Sequence, residues 1–166
     1  IHEFNIKHGI SEITYYDRIY PENFKSMQRG RSGITPPVIF YAKGNIESLA
    51  RMGIAIIGTR EVSRYGYKVG KHYAKRVVDQ GCTVISGLAE GCDSSGHIGC
   101  LESKGITIAI LPTPINKDKI YPKTNTKLAN DILENNGCLI SEYHEFSPVN
   151  RYNFVNRDRL QCGLAD

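Results

Sequence analysis

Residues 53–97 read GIAIIGTREVSRYGYKVGKHYAKRVVDQGCTVISGLAEGCDSSGH and decide the fold, because they place two glycine turns directly after two short apolar runs. A short run of β-branched residues that leads into glycine and then a helical pattern is typical of a parallel strand feeding a loop that can bind an anion. The runs lead into Gly58 and Gly87. The segment therefore predicts an α/β fold with a ligand site at one edge of its sheet.

The alternation of strands and helices continues beyond this segment. Strands are predicted over residues 54–57, 82–86, 106–111 and 138–141, and helices over residues 65–80, 94–104, 126–136 and 156–164. Strands that are separated by helices of this length run parallel, with right-handed crossovers. We therefore predict an α/β fold with a doubly wound, mostly parallel sheet.

The first part of the chain breaks this alternation. It mixes aromatic and basic residues, contains the pair Pro36 and Pro37, and holds one short predicted edge strand over residues 38–41. We expect residues 1–45 to form an N-terminal extension packed on the core, and residues 46–166 to form the main domain.

Composition fits one compact, soluble, cytoplasmic domain. The 166 residues are 40% hydrophobic and 23% charged, and their net charge of +4 agrees with nucleic-acid binding without requiring it. Apolar runs stay far below the ~18 residues of a membrane span. The five cysteines show no CxxC spacing, which favours reduced thiols over a metal site or disulfides. No metal or cofactor is predicted.

Ligands of such sheets bind beyond the carboxyl ends of the strands. There, Gly58 lets a backbone approach a phosphate, Arg60 offers a fork of donors, and Ser63 can cap the following helix. The predicted phosphate-binding residues at this edge are Gly58, Thr59, Arg60, Ser86, Gly87, Lys119, Tyr121 and Ser141.

Other basic and aromatic residues lie near these loops. Three lysines on the helix over residues 65–80 are interpreted as a solvated face, whereas a second group beside the site could equally contact phosphates. Four rings could either stack on bases or pack inside the protein. The first three cations are Lys68, Lys71 and Lys75; the second group is Lys117, Lys119, Lys123 and Lys127; the rings are Tyr121, Tyr143, Tyr152 and Phe154.

Ser86, Asp93 and His97 suggest a hydrolase triad, but the pattern does not favour one. Asp93 and His97 lie near the start of one helix, where Asp93 is expected to cap and His97 to offer a hydrogen bond at the site's edge. VISGL is not a G-x-S-x-G elbow, and the G-x-G-x-x-G fingerprint of an NAD oxidoreductase is also absent.

Eight segments, in order along nearly the whole chain, resemble the DprA/Smf family of DNA-processing proteins. They are YPENF (20–24), PPVIFYAKGN (36–45), IIGTR (56–60), SGLAEGCDSSGH (86–97), ITIAIL (106–111), YP (121–122), ISE (140–142) and NFVNRDRLQCGLA (153–165). The resemblance implies an extended Rossmann-like fold in a cytoplasmic bacterial protein that binds single-stranded DNA, protects it during natural transformation and helps load the RecA recombinase. It implies binding and handover, not catalysis.

By that resemblance, the DNA contacts fall on Arg60, on Ser86 and Gly87, on residues 119–121, and on Arg157 and Arg159. Asp93 and His97 complete the set of expected DNA-binding residues. Asp158 stands where the family usually has an amide. If Asp158 faces the DNA, Asp158→Asn should tighten binding; if it pairs locally, the substitution should cost stability instead.

The family's domain normally continues with further strands and usually a small C-terminal domain, which are absent from this sequence. Dimer contacts and the RecA-facing surface are expected largely in that part, so a homodimer stays an open expectation. The alternative function is a Rossmann-like sensor of nucleotide derivatives. A nucleotide N-glycosidase is disfavoured, since the P-G-G-x-G-T-x-x-E stretch of such enzymes is absent.

Overall fold

A computed structural model describes residues 1–27 and 35–166, and its centre is a mixed sheet of six strands. The strands are β1 (Ile10–Thr14), β2 (Ile39–Gly44), β3 (Gly53–Ala55), β4 (Thr83–Ser86), β5 (Thr107–Ile110) and β6 (Cys138–Ser141). Their spatial order is β1-β2-β6-β5-β4-β3. Neighbours among β3, β4, β5 and β6 are parallel, while β2 is antiparallel to both β6 and β1. The predicted mostly parallel α/β sheet is confirmed.

Helices cover both faces of this sheet. They are α1 (His2–Lys7), α2 (Glu22–Ser26), α3 (Arg64–Asp79), α4 (Cys92–Glu102), α5 (Thr126–Glu134) and α6 (Arg151–Leu164), with short 3-10 helices at Ile46–Ala50 and Lys123–Asn125. Side chains of α3, α4 and α5 pack on one face, where Val84 and Leu139 belong to the core. Phe24 of α2 and Leu160 of α6 pack with Ile85 and Ile110 on the other.

The prediction of an edge strand over residues 38–41 is wrong. β2 lies inside the sheet, because β1 pairs along its outer side from Ile10 opposite Lys43 to Thr14 opposite Ile39. Strand β1 is missing from the sequence-based prediction. Its two buried residues, Ile10 and Ile13, are separated by Ser11 and Glu12, so the strand lacks a clear alternating pattern. The division of the chain at residue 45 stays a prediction, and it includes residues 28–34, which lie outside the described ranges.

Helix α6 begins at Arg151, five residues before the predicted start at residue 156. Asn150 caps it, because the Asn150 side chain accepts a hydrogen bond from the Asn153 N–H. The earlier start puts Phe154 and Arg157 on one helix face, since residues three apart in a helix are neighbours. Both therefore reach the carboxyl ends of the parallel strands.

The five cysteines form no disulfide. Burial raises the pKa of the Cys100 and Cys138 thiols to about 12, so they stay protonated at neutral pH. Among residues 1–27 and 35–166, no helix has the length and apolar character that a membrane crossing requires.

Candidate functional site

A cleft opens at the carboxyl ends of β3, β4 and β5. Its position is the one expected for ligands of an open parallel sheet. The lining residues are Arg60, Gly87, Ala89, Glu90, Pro112, Tyr121, Pro122, Phe154 and Arg157. Four of the residues predicted from the sequence therefore meet at this cleft: Arg60, Gly87, Tyr121 and Arg157.

An exposed cation and two rings form one wall of the cleft. The Arg60 Cζ lies 5.6 Å from the centroid of the Phe154 ring, within range of a cation–π contact. Tyr121 meets the same ring edge to face, with 5.1 Å between centroids. Arg60 is exposed and forms no ion pair with another residue of the described ranges. Its guanidinium can therefore donate hydrogen bonds to a phosphate while the rings offer apolar faces.

The turn that carries Arg60 is fixed by close backbone packing. The Cys92 N–H donates to the Thr59 carbonyl over 3.1 Å. Gly91 has φ +77, and a Cβ there would lie 2.4 Å from the carbonyl oxygens of Thr59 and Arg60. A Cβ on Gly58 would lie 2.5 Å from the Cys92 Sγ. Glycine is therefore required at positions 58 and 91, on the two sides of the contact that holds the Arg60 turn.

The Ser63 hydroxyl caps α3, as predicted, since its Oγ accepts a hydrogen bond from the Gly66 N–H over 3.0 Å. The Ser86 hydroxyl, by contrast, is fully buried and donates to the Ile56 carbonyl over 2.5 Å. It joins β4 to the chain just after β3, so its side chain faces the interior and not the cleft.

The prediction that Asp93 caps α4 is wrong. The cap position belongs to Gly91, and the buried Asp93 Oδ2 accepts a hydrogen bond from the Ala89 N–H over 3.2 Å. Burial raises the pKa of the Asp93 carboxyl, while the nearby Arg157 charge and the Ala89 N–H lower it. The carboxylate therefore holds the turn after β4 from within, and the Ala89 N–H is not free for a phosphate.

The predicted position of His97 at the edge of the site is also wrong. His97 is fully buried, and its Nδ1 lies 2.7 Å from the Thr107 Oγ1. Thr107 donates its one hydroxyl proton to the Val84 carbonyl, so Nδ1 must carry the proton in the His97 contact. Burial lowers the pKa of His97 to about 3. Because His97 bonds to Thr107 and Ser86 to Ile56, these residues form no Ser-His-Asp triad.

Lys119 and Ser141 hold loops together beside the cleft. The Lys119 Nζ lies 3.1 Å from the Glu145 Oε1 and also donates to the Glu145 carbonyl. The buried Ser141 hydroxyl donates to the Thr113 carbonyl over 2.8 Å and accepts from the Tyr143 N–H over 3.0 Å. Neither residue lines the cleft.

Arg157, Asp158 and Arg159 each have partners within the chain. Arg157 is buried, and its Nη1 donates to the Ile110 carbonyl over 3.0 Å. Arg159 forms a forked ion pair with Glu142, with 2.6 and 2.8 Å between Nη2 and the two carboxylate oxygens. Asp158 lies 2.9 Å from the Arg157 Nε, without hydrogen-bond alignment, and accepts from the Gln161 side chain over 2.9 Å. Local partners therefore neutralise both arginines.

Five residues that line the cleft lie outside the predicted set of DNA-binding residues, although Glu90 and Pro112 belong to loops expected at this edge. They are Ala89, Glu90, Pro112, Pro122 and Phe154. By sequence, Phe154 is one of four rings that could either stack on bases or pack inside the protein. The three-residue spacing between Phe154 and Arg157 predicts that they share a helix face only once the helix is known to include both residues. Glu90 is fixed by the Thr124 hydroxyl, which donates to its Oε1 over 2.8 Å.

Fold and site together define a Rossmann-like α/β domain whose strand ends carry a cleft walled by a cation and aromatic rings. The family model of DNA recombination-mediator protein A matches residues 11–166. The chain belongs to this family, and the resemblance to DprA/Smf proteins is confirmed.

Curated relatives include Protein Smf of Borreliella burgdorferi, 34% identical over 131 residues, and DNA processing protein DprA of Bacillus subtilis, 31% identical over 159 residues. The matches cover 79% and 95% of this chain, but only 41% and 50% of those relatives. The chain thus spans half or less of their length.

Solved structures agree. The chain superposes with a TM-score of 0.81 on DNA processing protein A of Streptococcus pneumoniae, at 26% identity, covering 99% of this chain and 56% of that one. It superposes with a TM-score of 0.79 on DNA processing protein A of Helicobacter pylori, at 28% identity, covering 95% and 66%. The latter structure concerns a single-stranded DNA binding mode.

Proposed function

We propose that this chain binds single-stranded DNA in the cleft between Arg60, Tyr121 and Phe154. The observation that carries the proposal is the Arg60 guanidinium, which is exposed, free of ion pairs within the described ranges and 5.6 Å from the centre of the Phe154 ring. A phosphate would bind to the guanidinium while an unpaired base stacks against the rings. The Helicobacter pylori relative, whose single-stranded DNA binding mode has been described, supports this assignment.

Single strands suit this cleft better than duplexes because stacking on a protein ring requires a base whose face is open. The Tyr121 ring is about half exposed, and its neighbour Phe154 is partly exposed. Neither the rings nor Arg60 would read base identity, so binding should show little sequence preference.

We expect fewer phosphate contacts than the sequence alone suggests, because several of the predicted cations are buried or paired. Arg157 is buried, Arg159 is paired with Glu142, and Lys119 is paired with Glu145. Arg60 remains, together with exposed cations around the same edge: Arg64, Lys117, Lys123 and Arg151. We expect Arg60 and one or two of these cations to contact phosphates. At about 0.7 for each contact, the slope of log affinity against log salt should be about −1.4 to −2.

The wider role proposed is that of the DprA/Smf proteins: processing of incoming DNA in the cytoplasm during natural transformation, with handover of the strand to a RecA recombinase. No bond is made or broken in that role. A homodimer of the whole protein is also proposed, with its contacts expected largely in the part of the family's length that this chain does not span.

The test is a fluorescence anisotropy titration of a labelled ~30-nucleotide thymidine strand and of the matching duplex, at several salt concentrations. We expect clearly tighter binding of the single strand, weakening with salt. Equal affinity for the duplex or no salt dependence would exclude the proposal. Competition by mononucleotides or cyclic dinucleotides at low concentration, without competition by oligonucleotides, would support the sensor of nucleotide derivatives instead.

A further inference from the structure

The Arg157 guanidinium occupies the space beneath the turn that follows β4. A Cβ on Gly87 would lie 1.4 Å from the Arg157 Nη1 and 2.2 Å from its Cζ, so the absent side chain of Gly87 is what admits the guanidinium. The side chain of Arg157 is only 6% exposed. Burial lowers its pKa, while the charges of Asp93 and Asp158 raise it.

At the end of β5, the same guanidinium donates a hydrogen bond that a neighbouring strand would otherwise donate. The pairing of β4 with β5 ends at Ser86 and Ala109, and the chain then turns away at Gly87. The next carbonyl of β5, that of Ile110, has no strand partner on this side and accepts from the Arg157 Nη1 over 3.0 Å. Since a buried carbonyl needs a donor, Arg157 fixes where β5 ends and β4 departs from it.

Asp93 completes the arrangement as the ion-pair partner of Arg157. Its Oδ2 lies 3.7 Å from the Arg157 Nη2 and also accepts the Ala89 N–H, and its side chain is 4% exposed. Leu88, between Gly87 and Ala89, has φ +62, a conformation that a leucine rarely adopts and that needs support from its surroundings. The buried pair therefore holds a strained turn in place.

This turn contacts both walls of the cleft. On one side, Gly91 and Cys92 support the turn that carries Arg60, through the Cys92 N–H to the Thr59 carbonyl. On the other, the Asn125 side chain donates to the Leu88 carbonyl over 2.9 Å, and Thr124 donates to Glu90. These links fix the segment that follows Tyr121 and Pro122.

We propose that the buried Arg157–Asp93 pair positions the turn over residues 87–92, and through it Arg60 and Tyr121, so that Arg157 serves DNA binding without contacting a phosphate. The inference rests on the proposed function, since it assigns the pair a role in presenting the DNA-binding cleft. Arg157 and Asp93 are positioning residues in this scheme.

The first test compares two carboxylates of the same turn. By charge alone, the removal of either Asp93 or Glu90 should strengthen the binding of a polyanion. We expect Glu90→Gln to tighten the binding of a thymidine oligonucleotide a few-fold, and Asp93→Asn to weaken it by about ten-fold because the turn is released. Asp93→Asn that tightens binding, or leaves it unchanged, would overturn the proposal.

The second test separates positioning from phosphate contact by salt dependence. Arg60→Gln should reduce the slope of log affinity against log salt by about 0.7, the value for one phosphate on a single strand. Arg157→Lys should weaken binding while leaving the slope at the wild-type value. A fall in slope for Arg157→Lys equal to that for Arg60→Gln would show direct phosphate contact and overturn the proposal.

A third measurement needs no DNA and so distinguishes this inference from the proposed function. Amide hydrogen exchange should be faster at Ala89 and Cys92 in both Arg157→Lys and Asp93→Asn, and unchanged there in Glu90→Gln. Wild-type protection at both amides in the two variants would overturn the positioning role, whatever the protein binds. A wild-type chain that fails to bind single strands would refute the proposed function and the role of the pair in DNA binding, while the exchange result would still decide whether the pair positions the turn.

Discussion

The Arg60 guanidinium lies over the ring of Phe154, and this contact joins the loop after β3 to the first turn of α6. The two residues are distant in sequence, and a different local structure orients each side chain. Arg60 projects from a turn that is packed against Gly91, and Phe154 is oriented by a helix that begins at Arg151. The cleft therefore forms only when both this turn and this helix are in place.

Arg60→Ala should weaken the binding of single-stranded DNA by about ten-fold or more, because a hydrogen bond to a charged group contributes about 1.5–3 kcal/mol. Lys71→Ala is the matched control. Lys71 lies on α3 and pairs with Glu102, with 2.5 Å between Nζ and Oε1, so its loss should cost less than about 1 kcal/mol of binding free energy. Anisotropy titrations of both variants, with melting temperatures checked, measure the difference.

An equal loss of affinity in Lys71→Ala would move the binding surface to α3. The basic residues of that helix would then be the site, and the cleft at the strand ends would not be.

Phe154→Leu should weaken single-strand binding by about 1–3 kcal/mol, the contribution of one base stacked on a ring. Leucine keeps an apolar side chain against Tyr121 but offers no flat face. Val155→Ala changes the next residue of α6, whose side chain is 71% exposed, and should leave affinity unchanged. If Phe154→Leu binds DNA like the wild type, the ring serves only to pack against Tyr121 and Arg60.

The sequence was sufficient to predict the four parallel strands of the sheet and the edge at which the cleft lies. Both depend on local signals: apolar runs for β3 to β6, and glycines where a strand turns into a loop. Such signals do not report which way a long side chain points. Arg157 looked like a DNA contact, yet it is buried because Gly87, far away in sequence, leaves room for its guanidinium.

The ion pairs near the cleft could not be predicted from the sequence either. Arg159 and Glu142 come together only when α6 packs on the sheet beside the end of β6. Lys119 meets Glu145 only because two loops fold against each other. A count of cations near the strand ends therefore overestimates the positive charge that DNA can reach.

Asp158→Asn should leave the affinity for single-stranded DNA within about two-fold of the wild type and reduce stability by less than about 1 kcal/mol. The carboxylate, 55% exposed, contacts the Arg157 Nε and accepts from Gln161, so local partners occupy it. Paired melting and binding titrations measure both effects. Several-fold tighter binding at low salt would instead place Asp158 against the DNA backbone.

Gly87→Ala should reduce the free energy of unfolding by about 1–3 kcal/mol, because the new methyl group would overlap the Arg157 guanidinium. Denaturant unfolding of a double-mutant cycle tests the cause. In an Arg157→Ala background the same substitution should cost much less, since the overlapping group is gone. Additive effects of the two substitutions would show that Gly87 is required for another reason, such as its backbone conformation.

Stability should fall as the pH is lowered from 7 to 5, because His97 is buried in its neutral form. Burial depresses the pKa of His97 to about 3, against about 6.5 in the unfolded chain, so between these values the unfolded state binds a proton that the folded state does not. The stability that the neutral His97 contributes is complete above the pKa of this histidine in the unfolded chain. It is lost as the pH falls towards the pKa of His97 in the folded chain. From pH 7 to 5 the linkage amounts to about 2 kcal/mol. Urea unfolding at each pH should show this slope flattened in His97→Gln but retained in His72→Gln, which changes an exposed histidine of α3. A slope that survives unaltered in a folded His97→Gln variant would show that other groups cause the acid sensitivity.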